Sequence, residues 1–95
     1  MKTGVELIAI ERQRQIEEEG WTPKHDAQHT MAQLRFAAMC YTSPCATSSS
    51  MRKNVPPDWP WDKKWWKPSK SDVRNLVKAG ALIAAEIDRI RNAQK

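Results

Sequence analysis

Ser71 to Asn92 read SDVRNLVKAGALIAAEIDRIRN, and this stretch decides the fold. Val73, Leu76, Val77, Gly80, Ile83, Ala84, Ile87 and Ile90 recur at the three- and four-residue intervals of one helix face. Ser69 or Ser71 supplies the N-cap, and a helix over 71–92 is the expected core of an all-α chain. Gly80 in mid-helix costs about 1 kcal/mol relative to Ala. With Ala79, Ala81, Ala84 and Ala85 beside it, it leaves a smooth strip where another backbone can approach closely, the expected contact of a homo-oligomer. Glu86 lies one residue off the stripe, and Arg89 and Arg91 suit the negative end of the helix dipole.

Just before this helix, Pro56 to Pro68 read PPDWPWDKKWWKP, with four of the five tryptophans and four of the six prolines. Proline fixes φ and withholds an N–H, so the segment is neither helix interior nor central strand. Trp59 and Trp61, stiffened by Pro57 and Pro60, are expected to close a small core. Trp65 and Trp66 beside Lys63, Lys64 and Lys67 form an aromatic and cationic set that stacks rings and neutralises phosphates.

Two shorter helices precede the loop. Residues 3–19 place Val5, Ile8, Ala9, Arg12 and Ile16 on one face, widened by Leu7 and Ile10, with Gly20 as a left-handed stop. Glu17 to Glu19 sit in its last turn, where the dipole disfavours negative charge. Thr30-Met31-Ala32-Gln33 fits a capping box and starts a helix over 31–42 whose stripe is Met31, Leu34, Ala37, Ala38 and Tyr41. Pro44 ends it. The expectation is a single three-helix domain over 1–95, with a long crossover between the second and third helices in which 43–55 is flexible and the tryptophan half is packed.

Composition bounds the function. Ninety-five residues allow one domain, and the core of so short a chain is small. A mean hydropathy of −0.74 and no long apolar run argue against a membrane span. The amphipathic N-terminus lacks the apolar block of a signal peptide, which suggests the cytoplasm, the host cell's if the chain is phage-encoded. The net charge of +5 suits an anionic partner. Arg52 to Arg74 hold seven basic and three acidic residues, whereas Lys2 to His29 hold four basic and six acidic ones, so the positive field sits on the tryptophan loop. A nucleotide-like small molecule fits it better than nucleic acid. Cys40 and Cys45 have no second pair to make a zinc site and read as free thiols.

The ligand set read from these residues is Trp65, Trp66, Lys63, Lys64, Lys67, Arg12, Trp21 and His25, with no cofactor and no catalytic group. The alternative is an Mg²⁺ or Mn²⁺ site of Glu18, Glu19, His25, Asp26 and Glu86, since carboxylates and imidazoles at such spacing bind divalent cations. Three unclustered glycines exclude phosphate-binding glycine loops.

Glu11-Arg12-Gln13-Arg14-Gln15, Glu19-Gly20-Trp21-Thr22, His25-Asp26, Trp59-Pro60-Trp61, Trp65-Trp66-Lys67-Pro68 and Leu76 to Ile83 together resemble a family of small proteins of phages and prophages. The resemblance leaves out Ser43 to Asn54 and carries no activity with it. The opening is distantly similar to the all-α nucleoside triphosphate pyrophosphohydrolases, whose Glu-Glu-x-x-Glu and Glu-x-x-Asp motifs hold Mg²⁺. Here Gly20-Trp21 follows Glu17 to Glu19, and Arg89 stands where the second motif wants Asp. The phage context that the resemblance implies, taken with the Trp/Lys loop, gives by analogy the first expectation: a non-enzymatic phage-type binder that sequesters a nucleotide-derived anion against host defence. A metal-dependent nucleotide hydrolase and a protein- or single-stranded nucleic-acid-binding module stand as alternatives.

Overall fold

The computed structural model describes residues 1–22 and 32–94 and is helical throughout its regular structure. Helix α1 spans Gly4–Glu19, α2 Gln33–Thr42, α3 Ser49–Lys53 and α4 Asp72–Ala93, with 3₁₀ turns at Pro44–Thr47 and Lys63–Trp65. Four α-helices thus stand among the described residues where three were expected. The fourth arises inside the crossover: Ser48 accepts the Met51 N–H and caps a short helix, and Ser43 likewise accepts from Cys45 ahead of Pro44. Serines that read as linker composition serve here as caps.

The ends of the long helices follow local chemistry. Thr3 and Glu6 form a reciprocal capping box at the start of α1, and Gly20 at φ 71° ends it in the left-handed region. Ser71 caps α4 through the Arg74 N–H. Helix α2 begins at Gln33 after Ala32 at φ 62°, two residues later than the expected start. The Thr30 and Met31 of the expected capping box, like His25 and Asp26, lie outside the described residues.

Helix α4 is the central element, packed by both α2 and α1. The side it buries differs from the expected stripe. Asn75, Val77, Ala79, Ala81, Leu82, Ala85 and Glu86 are buried, whereas Val73, Leu76, Ile83 and Ile87 remain 61%, 48%, 47% and 52% exposed. Ala79, Ala81 and Ala85 let neighbouring elements come close to α4 around Leu82 and Val77, while Val73, Leu76, Ile83 and Ile87 face outward. Gly80 does admit a close approach, but from within the chain: a Cβ there would lie 2.5 Å from Cδ1 of Ile8 on α1.

Helix α1 departs from expectation in the same way. Its fully buried residues are Glu11 and Gln15, and Val5 and Ile10 are exposed. A carboxylate enters a core only with charged partners, and Glu11 has them, as described below. The remaining core is aromatic. Trp59, Trp66 and Trp21 are buried with Leu34, Tyr41 and Leu82, and the rings of Trp59, Trp66 and Tyr41 stand 4.8–5.7 Å apart, in the tilted and edge-on geometries that aromatic rings prefer. A two-way clamp fixes the end of the loop to α4: Ser69 N–H donates to Asn75 Oδ1 at 2.7 Å and Asn75 Nδ2 to Ser69 O at 2.9 Å. The molecule extends 42 × 35 × 20 Å, and among the described residues the side of α4 that carries Val73, Leu76, Ile83 and Ile87 is left exposed.

Candidate functional site

The spacing of Ile8, Glu11, Gln15 and Glu19 places these four on one helix face, directed at α4 and the tryptophan loop. Glu11 is the centre of the cluster. Its Oε1 accepts from Arg14 Nε at 2.8 Å and pairs with Arg74 Nη2 at 2.6 Å, and its Oε2 accepts from Arg14 Nη2 at 2.8 Å and Gln15 Nε2 at 3.1 Å. Burial pushes its carboxyl up, but the hydrogen bonds and charges of Arg14 and Arg74 outweigh burial and hold it below the usual range. Arg14 also reaches Glu18 at 3.2 Å and Glu19 at 3.3 Å, which offsets the unfavourable charge at the end of α1.

These side chains border a small polar cavity with room for about one water-sized molecule, near 10 Å³. Glu11, Arg14, Gln15 and Glu19 line it from α1, Tyr41 from α2, Lys78 from α4, and Trp21, Trp65 and Lys67 from the loops. A carboxylate only accepts, so Gln15 must turn its amide N–H₂ to Glu11. Its Oε1 is then left without a hydrogen-bond partner among the described residues. Tyr41 Oη accepts the Lys67 N–H at 3.1 Å, and Lys78 Nζ donates to Lys67 O at 2.6 Å. Burial pushes the Tyr41 hydroxyl up to about 12 and the Lys78 ammonium down, Arg74 adding to the latter.

The rim is the aromatic and cationic part. Trp65 is half-buried, with Lys64 Nζ 5.4 Å and Lys67 Nζ 5.3 Å from its ring centroid. Asp62 shapes this rim by accepting the Lys64 N–H at 3.0 Å and capping the turn that carries Lys63 to Trp65.

Of the expected ligand set, the cavity gathers Trp21, Trp65 and Lys67, with Lys64 on its rim and Lys63 on the same turn. Arg12 stands behind it and donates Nη1 to Trp21 O at 2.9 Å, a role in holding the loop. Trp66 is a correction. It is 7% exposed and donates Nε1 to Met51 O at 2.8 Å, so it belongs to the core, whereas Trp61 of the expected core pair is only half-buried. His25 lies outside the described residues. Glu11, Arg14, Gln15, Tyr41 and Lys78 were not in the expected set. Their signal in the sequence was the polar run Glu11 to Gln15 at three- and four-residue spacing from Ile8, which reads equally well as a solvated face.

The described carboxylates of the alternative metal set fall in two separate places, each neutralised by arginine. Glu18 and Glu19 pair with Arg14, while Glu86 holds Arg35 at 2.7 Å and Arg89 at 2.6 Å beside a different groove. Among the described residues no three His, Cys, Asp or Glu side chains are grouped to hold a metal ion, and His25 and Asp26 are not described. Cys40 is buried and its thiol pushed up, first by burial and then by Asp58; Cys45 is exposed. Comparison with protein-family models, with curated proteins and with solved structures finds no match to the chain.

Proposed function

We propose that the protein is a non-enzymatic binder of a nucleotide-derived anion, with Trp65 as the stacking ring and Lys64 and Lys67 as the phosphate-neutralising groups. One observation carries the reading: a half-exposed indole flanked by two ammonium groups at 5.3 and 5.4 Å, at the mouth of a polar cavity. A ligand ring that stacks on Trp65 displaces an ammonium from the indole, and the phosphate that travels with the ring takes that charge up. Lys63 adds positive field from the same turn. Glu11 is consumed by two arginines and suits a fixed support better than a proton acceptor. The resemblance to small phage proteins suggests sequestration of a nucleotide signal of host defence as the use.

The test is calorimetric titration with cyclic and linear nucleotides, with and without Mg²⁺. Binding independent of metal is expected, and Trp65→Ala is expected to weaken it by roughly 5- to 150-fold, the worth of one stacked base, while lowering the melting temperature less than removal of a fully packed ring, because Trp65 is only partly buried against the core. Trp66→Ala serves as the contrast: it removes a buried ring at a cost of about 3–5 kcal/mol in stability. No binding across the panel sinks the proposal, and metal-dependent turnover replaces it with the hydrolase reading.

A further inference from the structure

The polar cavity beside Trp65 is unevenly provided with hydrogen-bonding groups. Gln15 lines it and is 2% exposed, and its Oε1 has no hydrogen-bond partner among the described residues. The groups opposite have donors to spare. Tyr41 Oη accepts the Lys67 N–H and keeps its own hydroxyl hydrogen to give, and Lys78 Nζ spends one of its three hydrogens on Lys67 O. The carboxylates are already served: Glu11 takes N–H groups from Arg14, Arg74 and Gln15, and Glu19 pairs with Arg14 and Lys67. One unpaired acceptor and two donors therefore border a space of about 10 Å³, the size of a single water-sized group. An unpaired buried polar atom is costly, so the cavity favours an occupant that donates and accepts at once.

We propose that this cavity takes a sugar hydroxyl of the nucleotide that stacks on Trp65, an inference that rests on the nucleotide binding proposed above. Position chooses the sugar. Trp65 holds the base and Lys67 the phosphate, both residues border the cavity, and the sugar is the part of a nucleotide that joins the two. Chemistry chooses the hydroxyl. It donates to Gln15 Oε1 and accepts from Tyr41 Oη or Lys78 Nζ, the dual capacity by which proteins recognise ribose. A base carbonyl only accepts, and Gln15 cannot turn its amide round to meet one, because its N–H₂ is given to Glu11. A base amino group only donates and would face the Lys78 ammonium. A phosphate is larger than the space and meets the negative charge of Glu11 and Glu19.

The test is calorimetric titration with adenosine, guanosine, cytidine and uridine 5′-diphosphates, each beside its 2′-deoxy and 3′-deoxy analogues, which lack a single oxygen. For the nucleotide that binds, one of the two analogues is expected to bind roughly 5- to 150-fold more weakly, since it leaves Gln15 Oε1 unpaired. Gln15→Met, similar in length, removes the acceptor and is expected to abolish that difference. Trp65→Ala is expected to weaken the nucleotide and its analogues alike, leaving their ratio unchanged. Gln15→Met also takes an N–H from Glu11, so its melting curve is read first; if it does not fold, the ratio in the parent chain decides. Equal binding of a nucleotide and both its analogues overturns the hydroxyl site and leaves nucleotide binding standing. A ratio that survives Gln15→Met overturns the part given to Gln15, and no binding by any nucleotide overturns both proposals.

Discussion

Glu11 decides more at the scale of the single residue than any other side chain. It is 1% exposed, and its desolvation is tolerable only because four N–H groups from Arg14, Arg74 and Gln15 converge on it. Glu11→Gln leaves Arg14 and Arg74 without their counter-charge, but both reach solvent, so the expected loss is about 1–3 kcal/mol rather than the larger cost of a stranded buried charge. The pH dependence follows from the lowered carboxyl. A group whose folded pKa lies below its unfolded value stabilises the fold above the unfolded value, near 4.3 for Glu, and the gain disappears as pH falls through the folded one. Urea midpoints are therefore expected to decline below about pH 4.3 in the parent chain, and that part of the decline is expected to be absent in Glu11→Gln.

At the scale of the element, the contact between α1 and α4 turns on a missing Cβ. Gly80 costs α4 about 1 kcal/mol of helix propensity, and Ile8 fills the space that results. Gly80→Ala regains the propensity, but its Cβ would meet both Cδ1 at 2.5 Å and Cγ1 at 2.8 Å of Ile8, so the Ile8 side chain must swing aside and a net cost of about 0–2 kcal/mol is expected. Gly80→Val has no such escape and is expected to cost about 1–3 kcal/mol. The informative measurement is a double-mutant cycle: with Ile8→Ala in place, Gly80→Ala is expected to become stabilising by up to about 1 kcal/mol, a coupling that two independent sites would not show.

For the whole molecule, thickness is the limiting quantity. In a molecule 20 Å across its short dimension, α1 and α2 cover one side of α4, and Trp59 and Trp66 against Tyr41 supply bulk that the small residues of that contact, Ala37, Ala38, Ala79 and Ala85, lack.

Much of the architecture was legible in the chain. Periodicity placed α1, α2 and α4 to within about two residues of their observed bounds, because helix periodicity and caps such as Ser71 and Gly20 are local physics. The short α3 was missed, since its Ser48 cap has the same composition as a linker. The aromatic loop was recognisable as partly core, but which indole faced inward was not: Trp65 and Trp66 are adjacent, and only packing on Tyr41 and the carbonyl of Met51 draws Trp66 in. The polar cavity was hidden because Glu11 and Gln15 read as surface until Arg74, 63 positions on, supplies a partner. The sequence by itself thus determined where the helices run and which residues are amphipathic. Tertiary structure decided which side of each helix is covered, because burial depends on how closely two backbones approach and on charges that meet across the fold. Helix α4 packs inward at Ala79, Leu82 and Ala85, and Val73, Leu76, Ile83 and Ile87 of the expected stripe are left outside.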